Sequence, residues 1–341
     1  MRLGVLTGGG DCPGLNPALR AVVMRAMDFG DECVGIKLGW GGLINGDTVP
    51  LTIDVVDDII SRGGTILESS RTNPFKREQD LQATLDHIQE LKLDVIIALG
   101  GEDTLGVAHK LFKLGVHTVG VPKTMDNDLN RTDYTFGFDS AVQVATDAAD
   151  RLRDTARSHR RVMVLEVMGR HAGWVALETG VAGGADWILI PEEPLDLDEM
   201  CGHLGKLRER GKHHGLVVVS EGVEVTEADH TAAHTDDFGH VVLRERGVGE
   251  FVAKEIEERA GFETRLAVLG HIVRGGAPTA FDRMLATRLG IRAVDLAHEG
   301  KFGYMASLTN NQYVGVPLEQ AVAELKTVPH ELYQEIKTLF K

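Results

Sequence analysis

The sequence predicts an α/β protein of two lobes with a ligand crevice between them. Apolar, strand-like runs alternate with helical patterns along the chain, as in parallel sheets covered by helices. Two glycine-rich segments, Gly8-Gly9-Gly10-Asp11 and Gly100-Gly101-Glu102-Asp103-Thr104, each directly follow such a run and open a helix. A second set of strand-like runs begins beyond Gly137, after a long helical pattern. The 341 residues leave room for two domains of ordinary size.

Taken in order, Leu3–Thr7 reads as the first strand and Leu15–Phe29 as a helix. Val34–Leu38 is the second strand and Gln79–Leu91 the next helix. Asp94–Leu99 and Thr118–Val121 are almost wholly apolar, as strands covered on both faces must be. Asp139–His159 carries Ala141, Val144, Ala145 and Ala148 at helical spacing. Arg161–Val167, Trp187–Ile190, Leu216–Ser220 and Arg265–Leu269 supply the strands of the second lobe. Leu318–Leu339 has an amphipathic pattern and is expected to be one packing helix. Val225–Gly239 departs from the rest. It carries Glu227, Asp229, His230, His234, Asp236 and Asp237 with few apolar residues, and reads as an acidic surface insertion. His230 and His234 have the spacing of a metal pair, but no apolar face holds them rigid.

Hydrophobic residues make up 43% and charged residues 26%, an ordinary globular balance. No apolar run approaches the roughly 18 residues that span a bilayer. Met1-Arg2-Leu3-Gly4-Val5-Leu6 enters a strand at once, unlike a secretory leader. Cys12, Cys33 and Cys201 are widely spaced with no CxxC, which points to neither a disulfide framework nor zinc and makes a reducing cytoplasm the expected location. The net charge of −15 argues against nucleic acid and anionic membranes as partners. A phosphate ligand would then need a local gathering of cations.

The segments at strand ends supply one. Glycines let backbone N–H groups approach phosphate oxygens, and a helix N-terminus adds favourable dipole. Ligands of open α/β sheets sit beyond the carboxyl ends of the strands. Thr124-Met125-Asp126-Asn127-Asp128, just past a strand, holds two carboxylates at i, i+2, suited to deprotonating a hydroxyl and to holding magnesium. Met168-Gly169-Arg170 places an arginine past another strand, and Glu221 follows a third. His271 and Arg274 follow a fourth; guanidinium on phosphate and carboxylate on hydroxyls suit a phosphorylated sugar. Arg71 and Lys123 are further cations. Arg161 opens its strand, at the end away from Arg170, so it would serve a neighbouring subunit's site if both bind the same substrate; Arg265 opens another strand.

Read together, these segments resemble the 6-phosphofructokinase family over nearly the whole chain. The matching stretches are Gly4–Asp11, Ser61-Arg62-Gly63-Gly64-Thr65, Gly100–Thr104, Lys123–Asp128, Met168-Gly169-Arg170 and Gly270–Gly276. The resemblance implies two Rossmann-like three-layer α/β lobes with an interlobe active-site crevice. A phosphoryl-donor lobe would comprise 1–137 plus about 273–323, and a sugar-phosphate lobe 138–272 plus about 324–341. Asp126 would be the base on the 1-hydroxyl of fructose 6-phosphate, with Asp128 assisting. Glu102 would hold Mg2+, where the family usually has aspartate. Thr124 and Arg170 would stabilise the moving phosphoryl group, and Arg71 would bridge donor and product. Gly10, Gly101, Asp103, Thr104 and Lys123 would face the donor. Met168, Gly169, Glu221, His271 and Arg274 would bind the sugar phosphate. Arg161 and Arg265 would reach it across a subunit interface of a homodimer or homotetramer. Arg20 matches an effector-binding arginine of regulated bacterial members, but Met24 stands where those have a second arginine.

Within the family, ATP-using members typically carry glycine at the place of Asp103. A carboxylate there adds bulk and like charge against a nucleotide, about 4 kcal/mol per charge pair at ~4 Å and an effective dielectric of ~20. Lys123 would pair with a terminal phosphate. The chain therefore resembles the pyrophosphate-dependent, actinobacterial-type members, with an ATP-dependent enzyme as runner-up. A nicotinamide-dependent oxidoreductase is a remote alternative, since no spaced GxGxxG with a ribose-binding acid follows the first strand. A non-catalytic sugar-phosphate sensor is disfavoured by the joint presence of Asp126, Asp128 and Arg170.

Overall fold

The computed structural model describes residues 1–225 and 247–340. Strand β1 (Arg2–Thr7) leads into helix α1 (Leu15–Asp28), whose Leu15, Ala18, Leu19, Val22 and Ala26 line its buried face. Strand β2 (Glu32–Ile36) starts and ends two residues earlier than the sequence pattern predicts, because Leu38 and Gly39 both take positive φ and turn the chain. A short helix α2 (Trp40–Asn45), strand β3 (Thr48–Leu51) and a turn of helix α3 (Ile53–Val56) follow. Then come α4 (Glu78–Glu90), β4 (Val95–Gly100), α5 (Glu102–Lys113), β5 (Thr118–Pro122) and the long α6 (Phe138–His159).

The second half runs β6 (Val162–Val167), α7 (Trp174–Ala182), β7 (Trp187–Leu189), α8 (Leu197–Glu209) and β8 (Gly215–Ser220). After the undescribed stretch come α9 (Val248–Ala260) and β9 (Thr264–Val268), then a 3-10 turn over Gly270–Arg274. Helix α10 (Ala280–His298) leads to β10 (Tyr304–Thr309) and β11 (Gln312–Pro317), followed by α11 (Leu318–Ala321) and α12 (His330–Lys337).

Among the described residues the strands form two sheets. The larger has order β11-β10-β5-β4-β1-β2-β3 and the smaller β7-β8-β6-β9. Both are parallel apart from the edge strands β3 and β11, which pair antiparallel. Pro50 sits in β3, an edge position where its missing N–H costs no ladder bond. Strands β4 and β5 are buried along their whole length, as expected of strands between helical layers.

The expected single helix over Leu318–Leu339 is overturned. Two short helices stand there, joined by an extended stretch. Pro329 has no N–H and biases its predecessor away from helix. The Lys326 N–H is spent on the Asp128 carbonyl at 2.8 Å instead of a helical partner. The acidic segment Val225–Gly239, with His230 and His234, lies outside the described residues except for Val225. Among the described residues no helix is long and apolar enough to cross a membrane. All three cysteines are free and buried.

Helix α12 docks on the second lobe through buried Tyr333, whose hydroxyl donates to the Ile188 carbonyl at 2.8 Å. Tyr333→Phe leaves that carbonyl short of a partner and should cost about 1 kcal/mol. A lowered urea midpoint would register the loss; an unchanged one would show that the bond contributes nothing.

Candidate active site

Strand register brings the functional loops to common levels. Thr7 pairs with Leu99, and Gly100 with Pro122, so loops 8–11, 100–104 and 123–128 leave the large sheet side by side. In the small sheet Val167 pairs with Ser220 and Glu166 with Val268, which aligns 168–171, 221–222 and 270–274. The two loop sets line a cavity of about 700 Å³. From the first lobe it is walled by Gly10, Arg71, Gly101, Glu102, Asp103, Thr104, Lys123, Thr124, Asp126 and Asp128. Met168, Arg170, Glu221, His271 and Arg274 face them from the loops that leave the small sheet.

The glycines are there because the loops touch. A Cβ on Gly8 would stand 2.6 Å from Thr104 Oγ1, and one on Gly10 2.7 Å from Arg274 Nη1. Gly222 lies so close to the arginine loop that a Cβ would be 2.2 Å from the Arg170 carbonyl oxygen. Gly169 has φ 143, and its carbonyl accepts from buried Ser220 Oγ at 2.5 Å.

Two cations are pinned by backbone. Lys123 is buried, and its Nζ donates to the Gly10 carbonyl at 2.5 Å. Burial lowers its proton affinity, and Arg274 adds to that. Arg274 Nη1 in turn donates to the Asp11 carbonyl at 3.0 Å, joining the turn after β9 to the first glycine loop. Glu102 and Asp103 occupy the first turn of α5, where carboxylates suit the helix dipole.

Asp126 is strongly perturbed. Burial pushes its carboxyl up to about 7; Asp128 and Glu221 add like charge, while Arg274 and Arg170 pull the other way. Its Oδ1 is buried without a hydrogen-bond partner. Glu221 is also raised, again mainly by burial, against the pull of the Gly169 backbone, Arg170, Arg274 and His271. The arrangement is that of a carboxylate base facing fixed cations across a space of small-ligand size.

Arg161 and Arg265 are not brought to this cavity. Both pair with Glu263, at 2.8 and 2.6 Å, at the far end of β6 and β9. That end is on the order of 20 Å from Arg170 at the usual strand rise. Arg20 is engaged elsewhere, with the Asp57 carbonyl.

The sequence reading missed several wall residues: Trp40, Glu166, His171, Val268 and Leu325. His171 directly follows Arg170 and could have been included on adjacency alone. Trp40 comes from α2, a helix too short for periodicity to reveal. Leu325 lies 197 positions after Asp128 in the chain, and no local pattern points to it.

Comparison with known proteins agrees with this geometry. The model of the family described as phosphofructokinase matches residues 2–297. A pyrophosphate–fructose 6-phosphate 1-phosphotransferase of Dictyoglomus thermophilum is 53% identical over 343 residues, covering 100% of this chain and 99% of the relative. An ATP-dependent 6-phosphofructokinase 2 of Streptomyces coelicolor is 49% identical, covering all of both chains. Among solved structures, the phosphofructokinase of Pichia pastoris superposes with TM-score 0.83 at 30% identity, covering 99% of this chain but only 36% of that longer one.

The Asp126 carboxyl should titrate near pH 7, well above the ordinary carboxylate range. Its folded value is raised, so its contribution to stability is fully present below the unfolded value and is lost as pH rises through about 7. Asp126→Asn should therefore raise the unfolding temperature more at pH 8 than at pH 5. Equal gains at both would contradict the raised carboxyl.

Proposed function

The chain belongs to the phosphofructokinase family, and from that premise we propose that it moves a phosphoryl group from inorganic pyrophosphate to the 1-hydroxyl of fructose 6-phosphate. The lobe built on the large sheet takes the donor, and the lobe built on the small sheet takes the sugar phosphate. Asp126 accepts the hydroxyl proton; its raised proton affinity makes it a better base than an ordinary carboxylate while leaving a large ionised fraction at neutral pH. Thr124 and Arg170 face the transferring group, and Arg71 spans donor and product. Glu221, His271, Arg274, Met168 and Gly169 hold the sugar phosphate. Positioning and charge neutralisation are most of what phosphoryl transfer asks of a protein.

Magnesium fits the donor set. Among the described residues no three metal-ligating side chains converge to cage an ion alone. Glu102, Asp126 and Asp128 do line one cavity, and Asp126 Oδ1 lacks a donor. Magnesium commonly takes one or two carboxylates and completes its shell with water and substrate phosphate. When bound it would neutralise charge on the donor phosphates.

A homo-oligomer completes this reading, with Arg161 and Arg265 of one copy reaching the 6-phosphate in another. Leu266, Val268 and Ile272 are exposed along and just beyond the edge strand β9, next to Arg265, an apolar edge that a second copy would cover.

Asp103 in the same cavity as Lys123 is the observation that carries the donor assignment. A carboxylate at the first turn of α5 repels a nucleotide's phosphates and crowds its ribose, whereas pyrophosphate has no ribose and can sit toward Lys123 and Arg71. The ATP-dependent relative keeps ATP as the second reading.

A coupled assay with each donor offered alone decides between them. Turnover on pyrophosphate with little on ATP is expected, and the reverse would overturn the assignment. Asp103→Gly should raise ATP turnover by tenfold or more, since about 1.4 kcal/mol of relieved repulsion suffices for that. Asp126→Asn should lower kcat by about 100-fold or more with little change in binding of fructose 6-phosphate. Wild-type turnover in that variant would disprove the base.

A further inference from the structure

The extended stretch between α11 and α12 passes behind the loop that carries Asp126 and Asp128, and Lys326 stands at its middle. The Lys326 ammonium makes three hydrogen bonds: to Asn127 Oδ1 at 2.9 Å, to the Thr132 carbonyl at 3.0 Å and to the Asp133 carbonyl at 2.9 Å. Those are all the donors an ammonium has. Its own N–H bonds the Asp128 carbonyl at 2.8 Å, and its carbonyl accepts from Trp174 Nε1 at 2.9 Å. One residue thus grips the carboxylate loop by four bonds and helix α7 of the other lobe by a fifth. Trp174 opens α7, four residues after Arg170.

Asn127 is the piece most in need of this support. It is buried and left-handed, with φ 52, between the two acids. Its Oδ1 also accepts from the Thr135 N–H at 3.1 Å, and the Thr135 hydroxyl donates to the Thr124 carbonyl at 2.6 Å. The ammonium therefore closes a network that sets the directions of Thr124, Asp126 and Asp128 together.

We infer that Lys326 is a positioning residue for the transfer step: it fixes the loop of Asp126 and Asp128 through Asn127 and registers that loop against the Arg170 side of the crevice. This rests on the reading of Asp126 and Asp128 as the reacting pair, and adds to it a group remote in sequence that acts only through others.

Burial pushes the Lys326 ammonium down to about 8, against the attraction of Asp133 and Asp128 on the loop and of Glu178 on α7. The Trp174 ring lies 5.8 Å from its Nζ. Glu192 holds the flanking backbone through the N–H groups of Gly173 and Val328.

The experiment compares wild type, Lys326→Met and Lys326→Arg at pH 7 and saturating magnesium pyrophosphate, with amide hydrogen exchange on the same proteins. Lys326→Met should lose about 100-fold in kcat, with KM for fructose 6-phosphate within about threefold. Lys326→Arg should recover much of the turnover, because a guanidinium keeps the charge and several donors. In the methionine variant the amides of 125–135 should exchange faster while those of β1 and β4 stay protected. An unchanged kcat, an arginine variant as slow as the methionine one, or protection lost everywhere at once would overturn the inference. If wild type moves no phosphoryl group from any donor, the proposed reaction fails instead, and the exchange measurement still decides whether Lys326 holds the loop.

Discussion

Asp126 sits between charges of both signs in a partly dry wall. Burial and the neighbouring Asp128 and Glu221 strengthen its hold on a proton, while Arg170 and Arg274 weaken it. A carboxylate with its ordinary value would be ionised but a poor base; one buried with no cation nearby would stay protonated and useless at neutral pH. The balance near 7 exists only while those four neighbours keep their distances. Much of the surrounding architecture can be understood as what holds them there. In a chain of net charge −15, the cations that offset the acids have to be fixed individually, and backbone carbonyls do the fixing. Gly10 holds Lys123 and Asp11 holds Arg274.

Those two carbonyls belong to the first glycine loop, whereas Arg274 ends the turn that follows β9 of the small sheet. The charge balance at Asp126 is therefore also a statement about how the lobes sit. Further ties are spaced around the crevice. Buried Asp282 on α10 accepts both the N–H and the hydroxyl of Ser140 at the start of α6, at 2.8 and 2.6 Å. The Lys326 stretch does the same on the side of α7. With the lobes joined at several places, reacting groups contributed by both can be held within the small tolerances that transfer demands.

Much of the scaffold was legible because buried parallel strands are short, apolar and bounded by glycine, as Val95–Gly100 and its neighbours are. The glycine loops and the Thr124–Asp128 segment stood out because each couples a strand end to unusual local chemistry. The β10–β11 hairpin escaped notice although its turn, Asn310-Asn311, has positive φ at both residues, a conformation asparagine tolerates. The last helix was read too long because Leu318–Leu339 keeps an apolar rhythm that tertiary contacts override: Lys326 finds better partners in the carboxylate loop than in a helical turn. Lys326 itself left no trace in the sequence, since its meaning lies in contacts about 200 positions away, as the separation of 199 to Asn127 records. Arg161 and Arg265 were legible as cations, yet one chain alone leaves them paired with Glu263.

Donor choice, on the proposed reading, is separable from all of this. The N-terminus of α5 is an anion-seeking place, the positive end of a helix dipole. A phosphate and the carboxylate of Asp103 compete for the same field. A nucleotide is anchored by its ribose and base and cannot shift its α-phosphate aside, so it bears the full repulsion. A free diphosphate is compact and can slide along the crevice toward Lys123 until attraction there offsets the acid. The base loop, the Arg170 loop and the Lys326 ties are untouched by that choice, because Asp103 belongs to a different strand end from each of them. A single side chain can then redirect the donor without altering proton transfer, whereas a change at any of the interlobe ties would alter proton transfer for every donor.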